Sequence, residues 1–285
     1  MAKPLRFRRY GRRLGITLLF AVAITGLWQY QERQYRDDYT WMGVPGWDEL
    51  TPTSVHRVLR NDGYLVGWSD VRIGALWVSY QVHAVRDRRI GSRPGFTRDW
   101  RTLWPIAPDS YFGSGYDRGH LAPNYAIAAV HGRDAQVDTF RMSNMLPQKP
   151  ALNRQLWQRL EEAIMDHFAP RFTRLQIVTG PVYPPSFMEN VFNRVGLVEV
   201  PAAFYKIIVA PDAADPKALA FIMPQNVKGN EPLDDYLVSI DEIEARTGLD
   251  FFPDLPVDME DRLEGQTRTE GWALDAVANK PGRFQ

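Results

Sequence analysis

The chain contains no cysteine. Disulfide bonds, thiolate zinc sites and a cysteine nucleophile are therefore excluded, and any catalytic or metal site must use nitrogen and oxygen atoms. The motifs His-Glu-x-x-His and Gly-x-Ser-x-Gly are also missing, which argues against a zinc peptidase and against a serine hydrolase. With 285 residues, 45% of them hydrophobic, the chain can still bury one large core or two small ones.

A net charge is absent as well, because 34 Lys and Arg residues balance 34 Asp and Glu residues. This balance is an average over two regions of opposite net charge. Residues 86–174 contain fourteen basic and nine acidic side chains, whereas residues 231–264 contain twelve acidic and two basic ones. Since a basic region is the usual electrostatic mark of a nucleic-acid partner, the distribution allows such a partner although the zero total argues against it.

Acidic residues are missing before Glu32, and six basic residues precede an apolar run at residues 14–28. This run of about fifteen residues is short of the ~20 that span a bilayer, so a signal-anchor and a cleaved signal peptide both fit, and we favour the membrane anchor. An organellar presequence fits too. The positive-inside rule places the folded part outside the cytoplasm, in the periplasm or an equivalent of the mitochondrial intermembrane space.

The chain divides by pattern into a targeting segment (residues 1–30), a spacer (31–42), a folded domain (43–255) and a peripheral acidic tail (256–285). Apolar residues at helical spacing predict an amphipathic helix over residues 151–168. β-Branched and aromatic residues predict strands at 64–68, 76–82, 175–180, 204–209 and 218–223. Ser239 with Glu242 forms a capping box that opens a short helix ending near Gly248.

Two motifs carry side chains suited to phosphodiester hydrolysis. The first is Asp-Arg-Gly-His-Leu-Ala-Pro at 117–123, and the second begins with Ser-Asn-Met-Leu-Pro-Gln at 143–148 and continues into the predicted helix. His120 is a natural general base, because a neutral imidazole accepts a proton near pH 7. Arg118 is a permanent cation suited to phosphate oxygens, and so is Arg93 in the long loop at residues 86–115.

The predicted helix supplies two further candidates. Asn153 lies in its first turn and can ligate Mg²⁺ through its amide oxygen, hold an anion, or act as an ordinary N-cap. Glu161 lies two turns later and can hold a metal-bound water or be a solvated carboxylate. Asn144 can brace the loop or support the metal site, and Asp117 orients the loop. The remaining histidines, His56, His83, His131 and His167, are predicted to be structural.

Together the two motifs resemble the DNA/RNA non-specific endonuclease family, which includes endonuclease G and the Serratia-type nuclease. The resemblance covers residues 43–255 and implies an α+β, ββα-metal (His-Me finger) fold with a central, mainly antiparallel sheet flanked by helices. It implies that the chain cuts DNA and RNA to 5′-phosphorylated products. Alanines stand at 202 and 203, where relatives often carry Thr-His, and this departure leaves the substrate preference open.

The resemblance also implies roles for individual residues. His120 is the general base, and Asn153 is the sole direct protein ligand of a water-rich Mg²⁺, with Mn²⁺ as an alternative. Glu161 contacts metal waters, Asn144 supports the site, and Arg118 and Arg93 stabilise the transition state, with Arg98 as a substitute for Arg93. Homodimers are common in the family, and a protein inhibitor is a further candidate partner.

Two other functions stay open from the sequence. One is a phosphodiesterase that acts on a small or lipid-linked substrate near a membrane, which the zero net charge allows. The other is a noncatalytic nucleic-acid-binding or membrane-scaffold protein built on a decayed nuclease, against which the intact motif residues count.

Overall fold

The computed structural model describes residues 5–48, 50–86, 90–185, 192–213 and 215–283, with side chains from residue 16 onward. Residues 1–4 of the predicted targeting segment lie outside this range. The described chain forms two compact units. The first consists of helix α1 (Leu5–Asp37), and the second begins at Tyr39.

Helix α1 includes both the apolar run at residues 14–28 and most of the predicted spacer. Within the described part of the chain, no helix combines the length and the apolar character that crossing a membrane requires. The predicted membrane anchor is therefore not supported. The physical reason is that Gln29, Gln31 and Glu32 follow the apolar run within the same helix, where a span would need further apolar residues.

A seven-stranded antiparallel sheet forms the centre of the second unit. Its strand order is β12-β11-β10-β7-β4-β3-β2, and every neighbouring pair is antiparallel. The strands are β1 (Gly46–Trp47), β2 (Arg57–Asn61), β3 (Tyr64–Ser69), β4 (Gly74–Val82), β5 (Asp117–His120), β6 (Met145–Gln148), β7 (Leu175–Val182), β8 (Arg194–Val195), β9 (Val198–Glu199), β10 (Ala203–Ala210), β11 (Lys217–Pro224), β12 (Leu237–Val238) and β13 (Leu249–Asp250). The predicted α+β class and antiparallel sheet are confirmed.

Helices complete the second unit. They are α2 (Asn124–His131), α3 (Arg133–Asp138) and α4, whose consecutive segments are Leu152–Leu156, Trp157–Ala163 and Ile164–Phe168, followed by Ile240–Thr247, Val257–Leu263 and Asp275–Ala278. Short 3₁₀ turns occur at Pro108–Tyr111, Met142–Asn144, Ala169–Arg171 and Leu233–Tyr236. The predicted capping box is confirmed, because Ser239 Oγ accepts a hydrogen bond from Glu242 N at 3.1 Å.

Strand β10 lies in the interior of the sheet, between β11 and β7, and is buried at every residue. Side chains alternate between the faces of a strand, so neighbouring residues of β10 meet different partners. Phe204 packs edge-on against Trp157 of α4, with ring centroids 5.8 Å apart, while Tyr205 packs against Phe251, with centroids 5.2 Å apart. The sheet is therefore covered on both faces, and Lys206, on the same side as Phe204, lies beneath α4.

The boundaries of the folded domain differ from the prediction at both ends. At the start, Tyr39 O accepts hydrogen bonds from Ser79 Oγ at 2.7 Å and from Gln176 Nε2 at 3.0 Å, so the compact unit includes the end of the predicted spacer. At the other end, Trp272 is fully buried, with its ring 5.4 Å from that of Phe168. Apolar side chains from the predicted acidic tail therefore contribute to the core of the second unit.

Candidate active site

Strands β5 and β6 pair antiparallel, and three residues separate the end of β6 from α4. The register places His120 opposite Met145 and Asp117 opposite Gln148. Gly119 allows this close pairing, since a Cβ at that position would lie 2.2 Å from Oε1 of Gln148. The glycine of the Asp-Arg-Gly-His motif is therefore needed for packing, while its neighbours supply the chemical groups.

His120 lies in an aromatic setting at the end of β5. Its ring centroid is 5.0 Å from that of Phe140 and 5.9 Å from that of Phe96. Its Nε2 is buried and has no hydrogen-bond partner among the described residues. Burial, with smaller contributions from the charges of Arg93 and Arg118, lowers the pKa of His120 from 6.5 to about 3. The ring is consequently neutral at pH 7 and free to accept a proton.

Asn144 is a brace. Its Oδ1 accepts a hydrogen bond from Ala122 N at 2.9 Å, and its Nδ2 donates to Ala122 O and Thr139 O, both at 2.9 Å. Because the amide is fully buried and engaged through both its oxygen and its nitrogen, it fixes the backbone just after His120. Of the two roles predicted for Asn144, the contacts favour bracing the loop.

Two guanidinium groups reach the same cavity as His120. Arg118 lies over the ring of Phe96 at 4.1 Å and donates from Nη1 to Pro108 O at 3.2 Å. Arg93 lies 5.8 Å from the ring of Phe140. Neither arginine pairs with a carboxylate within the described ranges, so both charges are available to an anion. Arg98 stacks near Trp100 instead and does not line the cavity, which favours Arg93 over its predicted substitute.

The long loop that carries Arg93 is held by buried polar contacts. Asp99 is 1% exposed and accepts hydrogen bonds from Arg101 Nη2 and Ser143 Oγ, each at 2.6 Å. Gln136 of α3 donates from Nε2 to Gly91 O at 3.2 Å. The loop is thereby attached to the segments on either side of the site, and Arg101, which pattern alone suggests is a surface charge, is one of the attachments.

Asn153 lies within the first turns of α4, where the hydrogen-bond pattern widens: Trp157 N donates to Leu152 O, five residues earlier. Its own backbone N donates to Lys149 O at 2.9 Å, so the alternative of an N-cap is wrong. The side-chain Nδ2 donates to Asp117 Oδ2 at 3.0 Å. The amide is therefore oriented by its nitrogen, and its oxygen is left without a hydrogen-bond partner among the described residues.

Asp117 connects Asn153 to Arg154. Its Oδ1 accepts from Arg154 Nη2 at 2.6 Å, and its Oδ2 accepts from Arg154 Nε at 2.7 Å. Partial burial alone would raise the pKa of Asp117, but the hydrogen bonds from Arg154 and Asn153 outweigh it and lower the pKa. Asp117 thus stays ionised, and it positions the amide of Asn153 as predicted for a residue that orients the loop.

Glu161 has a buried cation beside it that the sequence analysis missed. Its Oε1 lies 3.5 Å from Nζ of Lys206, a side chain with no exposed surface, and Nζ also lies 4.4 Å from the ring centroid of Trp157. Burial raises the pKa of Glu161, and the ammonium of Lys206 opposes that rise. The signal in the sequence is a lone lysine within the apolar strand at 203–210.

These groups line one cavity of about 410 Å³. Its walls include Arg93, Arg118, His120, Asn124, Asn153, Arg154, Trp157, Glu161, Glu162 and Arg283. Of the six predicted site residues, only Asn144 lies outside these walls. The amide oxygen of Asn153, which has no hydrogen-bond partner among the described residues, and the carboxylate of Glu161 suit a hard divalent cation that keeps most of its waters and needs few protein ligands, so the donor set fits the expected metal.

Three of the four other histidines make contacts that suit the structural role predicted for all four. His56 accepts from Trp77 Nε1 at 3.0 Å, His131 Nε2 lies 3.0 Å from Gln81 O, and His167 Nε2 lies 2.9 Å from Ala273 O. His83 is exposed. None of the four lines the cavity that contains His120.

The sequence matches the family model of the DNA/RNA non-specific endonucleases over residues 48–258. A nuclease of Nostoc sp. is 30% identical over 255 residues, which cover 78% of this chain and 90% of that protein. Human mitochondrial endonuclease G is 31% identical over 229 residues, covering 75% of this chain and 72% of the human protein. The mitochondrial nuclease of Saccharomyces cerevisiae is 37% identical over 163 residues, about half of each chain.

The fold is also similar to a solved structure. The crystal structure of the EndoG/EndoGI complex, which concerns the inhibition of EndoG, aligns with a TM-score of 0.64 and 24% sequence identity. The alignment covers 75% of this chain and 92% of that chain. At this identity the likeness shows a shared ββα-metal architecture.

Proposed function

Because the chain belongs to the DNA/RNA non-specific endonuclease family and is an endonuclease, we propose that the cavity around His120 hydrolyses phosphodiester bonds of DNA and RNA with Mg²⁺ as its cofactor. The observation that carries this proposal is the neutral imidazole of His120, which shares one cavity with two guanidinium groups that form no ion pair within the described residues and with the side-chain oxygens of Asn153 and Glu161. Mn²⁺ is the alternative cofactor.

In this proposal, the imidazole of His120 takes a proton from the attacking water. Its lowered pKa keeps the ring in the accepting form throughout the neutral range. Arg93 and Arg118 bind the phosphoryl oxygens, where charge develops as the bond to the leaving oxygen lengthens. Because neither arginine forms an ion pair with a carboxylate among the described residues, both guanidinium groups are available to the phosphate. The products carry 5′-phosphates.

Asn153 would hold the metal through Oδ1, and Glu161 would hold water molecules of its hydration shell. When bound, the ion would supply positive charge to the phosphoryl group and to the leaving alkoxide. Asp117 fixes the amide of Asn153, and the ammonium of Lys206 favours the charged form of the Glu161 carboxyl and holds it in place. Lys206 is thus a positioning residue that acts through Glu161.

The proposed location of the enzyme is outside the cytoplasm. The basic residues at 3–13 and the apolar run that follows support a segment that directs the chain out of the cytoplasm. Several relatives with this family motif are named as mitochondrial. We expect active enzyme in an exported or organellar fraction, and activity confined to the cytosol after fractionation would contradict this. The homodimer and the protein inhibitor stay predictions.

A digestion assay tests the proposed activity. The full chain should convert plasmid DNA and structured RNA to fragments with 5′-phosphate ends in Mg²⁺, and EDTA should stop both reactions. Competition separates the nuclease from a small-diester phosphodiesterase: plasmid should outcompete a bis-nitrophenyl phosphate. DNA and RNA left intact in both Mg²⁺ and Mn²⁺, or a preference for the small diester, would contradict the proposal.

A further inference from the structure

A second group of carboxylates lies in the acidic region at residues 231–264, which the catalytic proposal does not use. Asp241 and Glu244 lie on the helix Ile240–Thr247, and Glu264 follows the helix Val257–Leu263. One side-chain oxygen from each residue lies within 4.8 Å of the other two. None of the three residues lines the catalytic cavity.

Backbone hydrogen bonds fix this arrangement. Glu264 O accepts from Ile240 N at 2.9 Å and from Asp241 N at 3.3 Å, which joins the start of one helix to the end of the other. Glu264 N donates to Glu260 O at 2.8 Å. These backbone hydrogen bonds hold the two helices together and so bring the three carboxylates close to one another.

Glu264 is buried without compensation. The residue is 4% exposed, and its Oε1 is buried with no hydrogen-bond partner in the described part of the chain. Placing a carboxylate oxygen in such a position is unfavourable unless a cation or a proton accompanies it. Since this side chain points to Asp241 and Glu244, its neighbours are acids that increase the cost.

No basic side chain within the described ranges forms an ion pair with the three carboxylates. The two arginines of the acidic region contact other partners: Arg246 Nη2 lies 2.6 Å from Glu242 Oε1, and Arg262 Nη2 lies 3.8 Å from Asp258 Oδ2. Asp241, Glu244 and Glu264, which form an acidic junction between the two helices, thus require a cation or protons from solvent to neutralise their charge.

We propose that Asp241, Glu244 and Glu264 bind a divalent cation of the calcium type, separate from the catalytic metal. The three carboxylate oxygens lie within 4.8 Å of one another, so one cation can contact all three. Calcium binds carboxylate oxygens in a flexible geometry, whereas magnesium requires a near-ideal octahedron and keeps most of its waters, so three protein carboxylates fit calcium better. The bound ion ties the two helices together.

Calcium titration of a variant without the catalytic ligand tests this site. In full-length Asn153→Ala protein freed of metal with EDTA, Ca²⁺ should raise the midpoint of thermal unfolding by about 5 °C or more at a hundredfold excess over Kd. Calorimetry should show one calcium site, and Mg²⁺ should produce a smaller shift. No nucleic acid is present, so the outcome is independent of the proposed nuclease activity.

Three variants in the Asn153→Ala background locate the site. Glu264→Gln and Asp241→Asn should each weaken calcium binding at least tenfold, and Asp241 is exposed, so its variant carries little risk of misfolding. Glu242→Gln, on the same helix but paired with Arg246, should keep the full shift. Absence of a calcium shift, or its persistence in both site variants, would overturn the proposal, because a proton then occupies the junction. An equal shift with Mg²⁺ would overturn the assignment to calcium.

Discussion

Glu161 and Glu264 both bury carboxylate oxygens, but their surroundings differ. Glu161 lies on helix α4, and its Oε1 is 3.5 Å from the buried ammonium of Lys206. Glu264 lies at the acidic junction, among other carboxylates and without a basic partner in the described residues. The fold itself provides the cation in the catalytic region, whereas the junction depends on a proton or an ion from solvent. The buried carboxylate of the catalytic region is thus paired within the fold, whereas the buried carboxylate of the acidic junction is not.

If the chemistry belongs to the catalytic region alone, His120→Ala should lower kcat by about 10²–10⁴-fold, because it removes the general base while the fold does not depend on it. Initial rates on plasmid and RNA, with circular dichroism for the fold, check this. His131→Ala is the control, since His131 contacts Gln81 O away from the cavity and should affect stability more than rate. A His120→Ala enzyme with wild-type kcat would contradict the role of His120 as the general base.

Removing the ammonium of Lys206 should leave the carboxylate of Glu161 buried without a basic partner, as Glu264 is. Lys206→Met leaves a buried carboxylate without its partner and should cost about 3–5 kcal/mol in unfolding free energy. The double variant Glu161→Gln/Lys206→Met should recover most of that stability, because no buried charge is left, but it should not recover activity. Urea unfolding and cleavage rates check the cycle.

The activity part of this cycle distinguishes a positioning role from a merely structural one. In the Glu161→Gln background, Lys206→Met should have no further effect on kcat, since Lys206 acts through Glu161. Independent, multiplicative losses in kcat would show that Lys206 does not act through Glu161.

Substitution of Asp117 should weaken metal binding without changing the fold. Asp117→Asn weakens the contacts that orient Asn153, so the Mg²⁺ concentration for half-maximal cleavage should rise about 10–100-fold. Asp138→Asn is a matched control, because Asp138 is similarly exposed (15% against 17%) and also pairs with an arginine, but away from the cavity. Equal Mg²⁺ requirements in the two variants would contradict the assigned role.

The junction should respond to pH when divalent ions are removed. Burial, with the neighbouring carboxylates, raises the pKa of Glu264 to about 8 and that of Glu244 to about 7, both above the ordinary 4.5. The folded protein therefore binds protons that the unfolded chain releases, and stability should fall as pH rises from about 4.5 to 8, by about 1 kcal/mol per pH unit.

Glu264→Gln should reduce this slope in EDTA, because only the titration of Glu244 is left, as measured by urea unfolding at several pH values. The matched Glu242→Gln variant should keep the wild-type slope, because Glu242 pairs with Arg246 at the surface. A wild-type slope that is unchanged in Glu264→Gln would show that the junction carries no such titration.

The sequence predicts the sheet, helix α4 and the motif residues because each depends on local pattern or on a short spacing. It does not predict Lys206, whose partner Glu161 is 45 positions earlier and meets it only when α4 packs on β10. The acidic junction escapes prediction for the same reason. Asn144 shows a further limit: the motif identifies the residue, but only the hydrogen bonds to Ala122 and Thr139 show that it is a brace.

The Mg²⁺ dependence of plasmid cleavage by Asn153→Ala tests the central claim most directly, because this residue is assigned as the sole protein ligand of the catalytic metal. The wild-type enzyme should show a saturating Mg²⁺ response that EDTA abolishes. Asn153→Ala should retain the fold but lose at least about 100-fold in cleavage, or require that much more Mg²⁺. An Asn153→Ala enzyme with the wild-type rate and the wild-type Mg²⁺ response would contradict the account.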